Sequence, residues 1–399
     1  MRTWDVLVVG GGPAGSATVL HLAQRLPGAA EGVLVLERFE HPREKYCAGA
    51  VSSIGLESLS RAGYELDVPS VPIDGVRVRY GDAVSEHDRP GMGVVIRRDE
   101  FDHALWRAAG RTGATMRDGE KVTGVERERD AWLVTTTRGR HRARSLVGAD
   151  GTGSVVRKAL GFRELRRKGR LYVLETEPRH ARERETRIEF DLSCVHDGIE
   201  GYYWDFPCVM DGRPAVSRGI YHMNTTPRRD LKRVLAAFLR RRGLDPDRVT
   251  YKPFSERGFT PGSEIARPGV MLVGEAAGID PITGEGIAQG IVFAEIAAGV
   301  LAEGLERGDL AFRSYATDVA RTDVARHLGQ SHRLAPHVYG RRARQWASFL
   351  ARRPEAVAAG AKWYEGRRVG AGEIARLGSA LAFALLTRQA LPPPAPALG

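Results

Sequence analysis

The sequence has few cysteines and no long apolar run. Its 399 residues include only three cysteines, Cys47, Cys194 and Cys208. An odd number, without a Cys-x-x-Cys pair or zinc-like His/Cys spacing, argues against a disulfide framework, and we expect no metal site. The late apolar stretch at residues 377–386 is too short to span a bilayer. Only residues 1–5 precede the first predicted strand, which leaves no room for a signal peptide, so we expect a cytoplasmic protein or one peripheral at the membrane.

The charge balance is strongly basic, with a net charge of +11 and a pI near 9.8. Nucleic acid, an anionic membrane face, a phosphorylated substrate or an acidic protein would all suit this charge, and so would an arginine-rich solvated surface. The basic residues form separate blocks at residues 163–170, 228–242 and 341–368, and no RNA-binding signature gathers them. We therefore do not expect a nucleic-acid partner.

A glycine-rich turn near the N-terminus joins a predicted strand to a predicted helix. Residues 6–9 are valine and leucine, typical of a buried strand, and they run directly into GGGPAG. Gly10 permits a tight turn, Gly12 lets the backbone approach a pyrophosphate, and Gly15 lets the helix and strand pack closely. The strand, turn and helix together predict a dinucleotide-binding site.

Acidic residues follow several predicted strands. A second strand at residues 33–36 ends at Glu37, where a ribose hydroxyl would be bound. Two later strands also stop at a glycine beside an acidic residue, within residues 146–151 and 270–275. A strand-rich stretch at residues 171–221 lies between them. The nucleotide domain is therefore predicted to be assembled from separate pieces of chain.

These ordered segments resemble the three fingerprints of FAD-dependent oxidoreductases with the p-hydroxybenzoate hydroxylase-like fold, over residues 6–305. Within that superfamily, residues 45–50 (KYCAGA) look like the cysteine-and-glycine loop of geranylgeranyl reductases. Residues 202–207 look like their Tyr-x-Trp-x-Phe-Pro signature, and residues 281–287 (PITGEGI) match their third fingerprint. The resemblance implies a FAD-dependent enzyme of this family.

The implied fold class is α/β: a Rossmann-like FAD-binding domain interleaved with a β-sheet substrate domain, plus C-terminal helices. We assign residues 1–75, 97–160 and 263–305 to the FAD-binding domain and residues 76–96 and 161–262 to the substrate-binding sheet domain. Residues 306–399 form the C-terminal helical region with a flexible Pro-rich tail.

The resemblance also implies the site residues. The expected cofactor-binding residues are Gly10, Gly12, Ala14, Gly15, Glu37, Arg38, Cys47, Ala48, Gly49, Ala50, Arg98, Val122, Asp150, Gly274, Glu275, Gly284, Gly286 and Ile287. The expected catalytic residues are Cys47, Tyr202, Trp204 and Phe206. Two positions depart from the family: Glu275 stands where Asp is usual, which could shift a hydrogen bond, and Cys208 stands where a lysine commonly follows Phe-Pro.

The chemistry implied by the resemblance is saturation of a C=C bond in an isoprenoid or related hydrophobic substrate by hydride from reduced flavin. An isolated trisubstituted alkene accepts hydride poorly, so it must be protonated before or during hydride delivery. The aromatic faces of Tyr202, Trp204 and Phe206 would stabilise the resulting cation-like transition state and bind a hydrophobic isoprenoid chain. The alternative role of these three residues is ordinary packing within the strand. Cys47 could deliver a proton, position the flavin or act as a small hydrophobe.

The electron source and the product class stay open. No second G-x-G-x-x-G follows a strand, so the reductant is either NAD(P)H bound without its own Rossmann domain or an acidic ferredoxin-like carrier. The positive surface would suit that carrier, a diphosphate or lipid head group on the substrate, or peripheral contact with an anionic membrane. The alternative function is a flavin-dependent monooxygenase (hydroxylase) or halogenase, although the halogenase signature Trp-x-Trp-x-Ile-Pro is missed at Tyr202 and Phe206.

Overall fold

The protein was analysed as a computed structural model that describes residues 2–162, 168–180, 183, 185–223, 229–367 and 369–386. The predicted Pro-rich tail beyond residue 386 and parts of the basic blocks lie outside the described residues. The strands are β1 Thr3–Val9, β2 Val33–Leu36, β3 Ala50–Ser52, β4 Ser70–Tyr80, β5 Ala83–Ile96, β6 Thr115–Arg117, β7 Val122–Arg127, β8 Trp132–Thr136, β9 Gly139–Gly148, β10 Lys168–Thr176, β11 Arg187–Asp191, β12 Gly201–Met210, β13 Arg213–His222, β14 Lys252–Arg257, β15 Ala266–Arg267 and β16 Val270–Leu272. The helices are α1 Pro13–Arg25, α2 Ser53–Arg61, α3 Arg98–Arg111, α4 Val155–Ala159, α5 Leu231–Arg241, α6 Ile287–Arg307, α7 Tyr315–Arg321, α8 Asp323–Val338, α9 Ala343–Ala351, α10 Pro354–Tyr364 and α11 Ala371–Leu386.

The first sheet has a parallel centre. Its strand order is β15-β16-β9-β1-β2-β6; β8 also pairs antiparallel with β9, and β7 pairs antiparallel with β8. The parallel pairs join β1 to β2 and β9, β2 to β6, and β9 to β16. Both faces of β1 are covered, which explains its uninterrupted valine and leucine run. Because parallel strands end at the same edge, the three predicted motifs converge there.

The second sheet is mostly antiparallel, in the order β14-β10-β13-β12-β11-β4-β5-β3. Only the β4–β11 pair among its described ladders is parallel. Strands from several parts of the chain build it, with β3 to β5 near the N-terminus and β10 to β14 much later. The polypeptide therefore passes between the two sheets more than once.

Helices cover both sheets. α1 packs against α6 and α3 beside the first sheet, while α9 and α10 pack against β4 and β5 of the second. α6 is the one described helix long and apolar enough to cross a membrane, and 67% of that apolar window is buried inside the protein. Such burial is typical of the core helix of a soluble protein.

The predicted fold class is confirmed: a Rossmann-like α/β half, a separate sheet and C-terminal helices make up the described chain. The domain boundaries drawn from the sequence stay a prediction.

Candidate active site

The first glycine turn packs backbone against backbone. Gly10 has a φ of +107°, and a Cβ added there would lie 2.3 Å from the carbonyl oxygen of Ala149. A Cβ added to Gly15 would lie 2.0 Å from the carbonyl oxygen of Gly10. Both positions therefore require glycine. α1 begins at Pro13 with no side-chain cap, so its first N–H groups are available to an anion.

A cavity of about 880 Å³ opens where the parallel strands end. This volume lies within the range of about 300–1,000 Å³ usual for ligand and cofactor sites. The cavity brings together most of the predicted cofactor-binding residues, which come from distant parts of the chain: Gly10, Gly12, Ala14, Glu37, Arg38, Cys47, Arg98, Val122, Asp150, Gly274, Glu275, Gly284, Gly286 and Ile287.

Four of the predicted cofactor-binding residues do not line this cavity: Gly15, Ala48, Gly49 and Ala50. Gly15 packs against the Gly10 carbonyl, as described above. Gly49 has a φ of +86°, and a Cβ there would lie 2.1 Å from the carbonyl oxygen of Ile96. Ala50 begins β3, in the second sheet. The glycines among them serve close backbone packing in this structure.

Glu37 lies at the end of β2, beside the glycine turn. Its side chain is buried, and it accepts hydrogen bonds from the backbone N–H of Gly11 at 2.9 Å and of Phe39 at 3.1 Å. The guanidinium of Arg43 approaches it at 3.6 Å. These contacts fix the carboxylate at the wall of the cavity.

A buried charge network joins α3 to the glycine turn. Arg98 donates two hydrogen bonds to Asp102, at 2.7 and 2.8 Å, and Arg43 lies 3.0 Å from the same carboxylate. Burial alone would raise the pKa of Asp102, but Arg98 and Arg43 outweigh it and hold that pKa below its usual value. Asp102 therefore stays ionised and holds both guanidinium groups beside the cavity.

Asp150 follows β9, and one of its two carboxylate oxygens has no hydrogen-bond partner among the described residues. Its Oδ2 accepts hydrogen bonds from the N–H groups of Val155 at 2.6 Å and Val156 at 3.1 Å. Its Oδ1 is buried and has no partner among the described residues, although the residue lines the cavity. A buried acceptor without a donor is costly, so this atom suits a hydroxyl group of a bound molecule.

Glu275, the departure from the family's usual Asp, is engaged by protein groups. Thr152 donates a hydrogen bond to its Oε2 at 2.6 Å, and the Lys45 ammonium lies 3.3 Å from its Oε1. Burial would raise the pKa of Glu275, but Lys45, the Thr152 hydrogen bond and Arg98 together outweigh it, and the pKa is lowered. Lys45 also lies 3.1 Å from the centroid of the Phe254 ring. The longer side chain therefore ties the third fingerprint to the cysteine loop.

The N-terminus of α6 faces the same cavity. Gly286 precedes the helix, and both Gly286 and Ile287 line the cavity. Glu285 accepts a hydrogen bond from the Ala288 N–H at 3.1 Å, and burial raises its pKa to about 8. A largely neutral Glu285 at neutral pH leaves the positive end of the helix dipole directed toward the cavity.

Cys47 is half-buried at the wall of the cavity. Its sulfur accepts a hydrogen bond from the Gly49 N–H at 3.5 Å. Burial raises the pKa of the Cys47 thiol, and Arg98 opposes that shift only in part. The group is therefore a neutral thiol at pH 7, able to hold a proton but not a ready nucleophile.

The three predicted catalytic aromatics lie behind the cavity wall. Tyr202, Trp204 and Phe206 are buried in the second sheet, and none of them lines the cavity among the described residues. The Phe190 ring packs edge-on against Tyr202 and Phe206. The Tyr202 hydroxyl donates to the carbonyl of Thr283, within the third fingerprint. In this structure the aromatic cluster supports the fingerprint loop from beneath, and its contact with a substrate stays a prediction.

Several residues of the cavity wall were not selected from the sequence, among them Arg43, Lys45, Phe254 and Glu256. Lys45 belongs to the cysteine loop at residues 45–50, so its position in that motif could have identified it as a residue of the cavity wall. Phe254 and Glu256 belong to β14, which carries no recognisable motif.

The residues present fit FAD. Gly10 and Gly12 line the cavity beside the uncapped N-terminus of α1, which suits a pyrophosphate. Glu37 lies at the position expected to bind a ribose, and the unpartnered Asp150 Oδ1 can accept a hydrogen bond from a ligand hydroxyl. A flavin would supply hydride transfer when bound.

Comparisons with known proteins agree with this geometry. A family model described as an FAD binding domain matches residues 3–196. The chain is 30% identical over 336 residues to a digeranylgeranylglycerophospholipid reductase of Thermoplasma volcanium, covering 77% of this chain and 80% of that protein. It is 28% identical over 355 residues to digeranylgeranylglycerophospholipid reductase 1 of Methanothermobacter thermautotrophicus, covering 84% and 83%.

Solved structures share the fold. A geranylgeranyl bacteriochlorophyll reductase-like protein of Thermoplasma acidophilum superposes with a TM-score of 0.68 at 23% identity, covering 98% of this chain and all of that one. The flavin-dependent halogenase CmlS gives a TM-score of 0.58 at 18% identity, covering 98% of this chain and 72% of that one. The predicted cofactor FAD and the predicted oxidoreductase class are confirmed. With its cavity, fingerprints and relatives in agreement, this chain belongs to the geranylgeranyl reductase family of FAD-dependent oxidoreductases.

Proposed function

We propose that the protein saturates C=C bonds of an isoprenoid lipid, using hydride from reduced FAD. The observation that carries this proposal is a single cavity that joins the cysteine loop to the third fingerprint, in a chain whose relatives are named digeranylgeranylglycerophospholipid reductases. The high net charge of +11 would favour a substrate with an anionic head group.

Each part of the cavity wall has a proposed task. The first glycine turn and α1 bind the pyrophosphate, Glu37 binds the adenosine ribose, and Asp150 accepts a hydrogen bond from a sugar-chain hydroxyl. The N-terminus of α6 stabilises negative charge on the bound cofactor. These groups orient the cofactor and leave the reacting face to the substrate.

Cys47 and the aromatic cluster are proposed to act on the substrate side. The neutral Cys47 thiol lies at the cavity wall, where it can exclude water or hold a proton. The isoprenoid chain would contact Tyr202, Trp204 and Phe206 if the loop of the third fingerprint, which covers them, moves aside. The faces of these rings would then stabilise positive charge on the alkene. Phe190 of β11 packs edge-on against the rings of Tyr202 and Phe206.

The experiment is an anaerobic single turnover. Purified protein is loaded with FAD, reduced with dithionite and incubated with prenyl diphosphates or geranylgeranylated glycerophospholipids. Mass spectrometry should show a gain of two hydrogens for each bond reduced. The matched control is the same protein with oxidised FAD, which should convert nothing. No gain of hydrogen with any of these substrates would contradict the proposal.

The electron donor and the site of action are part of the proposal. NAD(P)H or an acidic ferredoxin-like carrier supplies the electrons to a cytoplasmic protein that meets the membrane peripherally. Sedimentation with anionic phospholipid vesicles, compared with zwitterionic ones, tests the membrane contact, and stopped-flow reduction with each donor identifies the reductant.

The alternative function, oxygenation or halogenation, is tested in the same series. Substrate-stimulated NAD(P)H oxidation in air that yields an oxygenated product would favour a monooxygenase, and halide-dependent turnover would favour a halogenase. The likeness to the halogenase CmlS concerns the fold alone.

A further inference from the structure

One carboxyl group of the cavity wall belongs to no motif. Glu256 lies on β14, on the same strand face as Phe254, and both residues line the cavity. Glu256 is only 7% exposed. Its Oε2 is buried and has no hydrogen-bond partner among the described residues. A buried, unpartnered carboxyl oxygen at a substrate cavity needs an explanation.

The Glu256 carboxyl lies directly against the third fingerprint. A Cβ added to Gly284 would lie 2.7 Å from Glu256 Oε2 and 3.2 Å from the ring of Tyr221. Gly284 has a φ of +67°, so the fingerprint is glycine at this position for its backbone conformation as well as for this close approach. The carboxyl is therefore beside the segment that the aromatic cluster supports and the cofactor is expected to touch.

The charged neighbours of Glu256 favour its acid form. The titratable and charged groups that face it come from the cysteine loop, α3, the third fingerprint and the second sheet: Lys45, Cys47, Arg98, Glu275, Glu285, Tyr202 and Tyr221. Burial and then the Glu275 carboxylate raise the pKa of Glu256 well above its usual value, and Lys45 opposes this only in part. Lys45 is already paired with Glu275 at 3.3 Å.

We propose that Glu256 is the proton donor to the alkene in the reduction described above, an inference that rests on the proposed function. Glu256 gives up its carboxyl proton as its O–H bond breaks and a C–H bond forms at one alkene carbon. The hydride, with both electrons, comes from the reduced cofactor and forms the C–H bond at the other carbon. The Glu256 carboxylate regains its proton from water after the product leaves.

The geometry favours Glu256 over a purely structural role. The Glu285 carboxyl also has a buried Oε2 without a partner, but its Oε1 accepts a hydrogen bond from the Ala288 N–H, whereas the Glu256 carboxyl has no hydrogen bond among the described residues. Glu256 lines the cavity, with its unpartnered Oε2 beside Gly284 of the third fingerprint, so an alkene bound in the cavity could take the place of a hydrogen-bond partner. General acid catalysis of this kind contributes roughly 10²–10⁴-fold to a rate.

The test compares Glu256→Gln with Asp191→Asn. Asp191 is also a buried carboxyl whose pKa burial raises, but it is outside the cavity lining. Both variants should bind FAD and be reduced by dithionite like the wild type. Single-turnover saturation should fall at least about 100-fold in Glu256→Gln and stay within about threefold of wild type in Asp191→Asn.

Infrared difference spectra of the FAD-loaded protein without substrate give a readout independent of turnover. The band of Glu285, whose pKa is about 8, should be present in every variant. A second protonated carboxyl band that titrates away at alkaline pH should be present in the wild type and in Asp191→Asn and missing in Glu256→Gln. If Glu256→Gln does not fold, the pH profile of wild-type turnover decides: the rate should fall as pH rises through the titration of that band, and Glu256→Asp should restore part of the activity.

The outcomes separate the two proposals. If the wild type saturates no substrate, the proposed function fails whatever the infrared band shows. If the wild type is active and Glu256→Gln is within about threefold of it, or the wild-type rate does not change while the band titrates, Glu256 is not the proton donor.

Discussion

Asp102→Asn should destabilise the protein far more than an equivalent change on the same helix. The Asp102 side chain is fully buried. It accepts two hydrogen bonds from Arg98 and forms an ion pair with Arg43 at 3.0 Å. Asparagine keeps one acceptor oxygen but removes the negative charge that compensates two buried guanidinium groups. Breaking a buried pair by removing one partner costs roughly 3–5 kcal/mol, a large part of a typical unfolding free energy of about 5–15 kcal/mol.

The pH dependence of stability should change as well. The pKa of Asp102 is lowered in the folded protein, so its contribution is fully present above the unfolded value of about 3.9. That contribution is lost as pH falls through the folded pKa. The wild type should therefore lose more stability than Asp102→Asn when the pH is lowered below about 4.

The matched control is Asp99→Asn in the first turn of the same helix. Asp99 also accepts two hydrogen bonds from an arginine, Arg97, at 2.9 and 3.2 Å, but the two side chains are 31% and 21% exposed. A solvated pair of this kind contributes about 0.2–1 kcal/mol. Urea unfolding of both variants, with and without FAD, measures the difference. Equal losses in the two variants would refute the view that burial sets the energy of this network.

Three further predictions concern the cavity. Cys47→Ala should lower turnover while FAD still binds, measured by single-turnover mass spectrometry and flavin fluorescence; unchanged turnover would remove Cys47 from the mechanism. Gly10→Ala should abolish FAD binding, because its Cβ would lie 2.3 Å from the Ala149 carbonyl oxygen at a φ of +107°; titration with FAD checks this, and a wild-type affinity would contradict it. Glu285→Gln should flatten the stability profile between about pH 5 and pH 8, since the raised pKa of Glu285 makes the wild type lose up to about 1.4 kcal/mol per pH unit as pH rises. Urea unfolding across that range measures the slope, and identical slopes would show that Glu285 does not titrate there.

The fingerprints could be predicted from the sequence because their requirements are local. Gly10 must be glycine for its own φ and for a neighbouring backbone atom, and that need is visible in the sequence as a strand that stops at glycines. Parallel pairing then brings the ends of β1, β9 and β16 to one edge, which the general topology of such sheets dictates. Local sequence and topology were therefore sufficient to place these parts of the cavity.

The aromatic signature was harder to place because alternation along a strand identifies a shared face but not what covers it. Tyr202, Trp204 and Phe206 do share one face of β12, yet Phe190 and the C-terminal Tyr364 enclose it in this structure. Tyr364 comes from α10, more than a hundred residues later in the chain. No local pattern reports such a contact.

The distribution of charge in the cavity wall also depends on the assembled structure. At this wall Arg98 and Arg43 both pair with Asp102, Lys45 pairs with Glu275, and Glu256 has no ion pair among the described residues. The family's usual Asp at position 275 has a shorter side chain, whereas Glu275 reaches both Lys45 and Thr152. Burial and then the Glu275 carboxylate raise the pKa of Glu256, and Lys45, which pairs with Glu275, offsets this only in part. The protonation of Glu256 therefore depends on groups from other parts of the chain, which no local pattern reports.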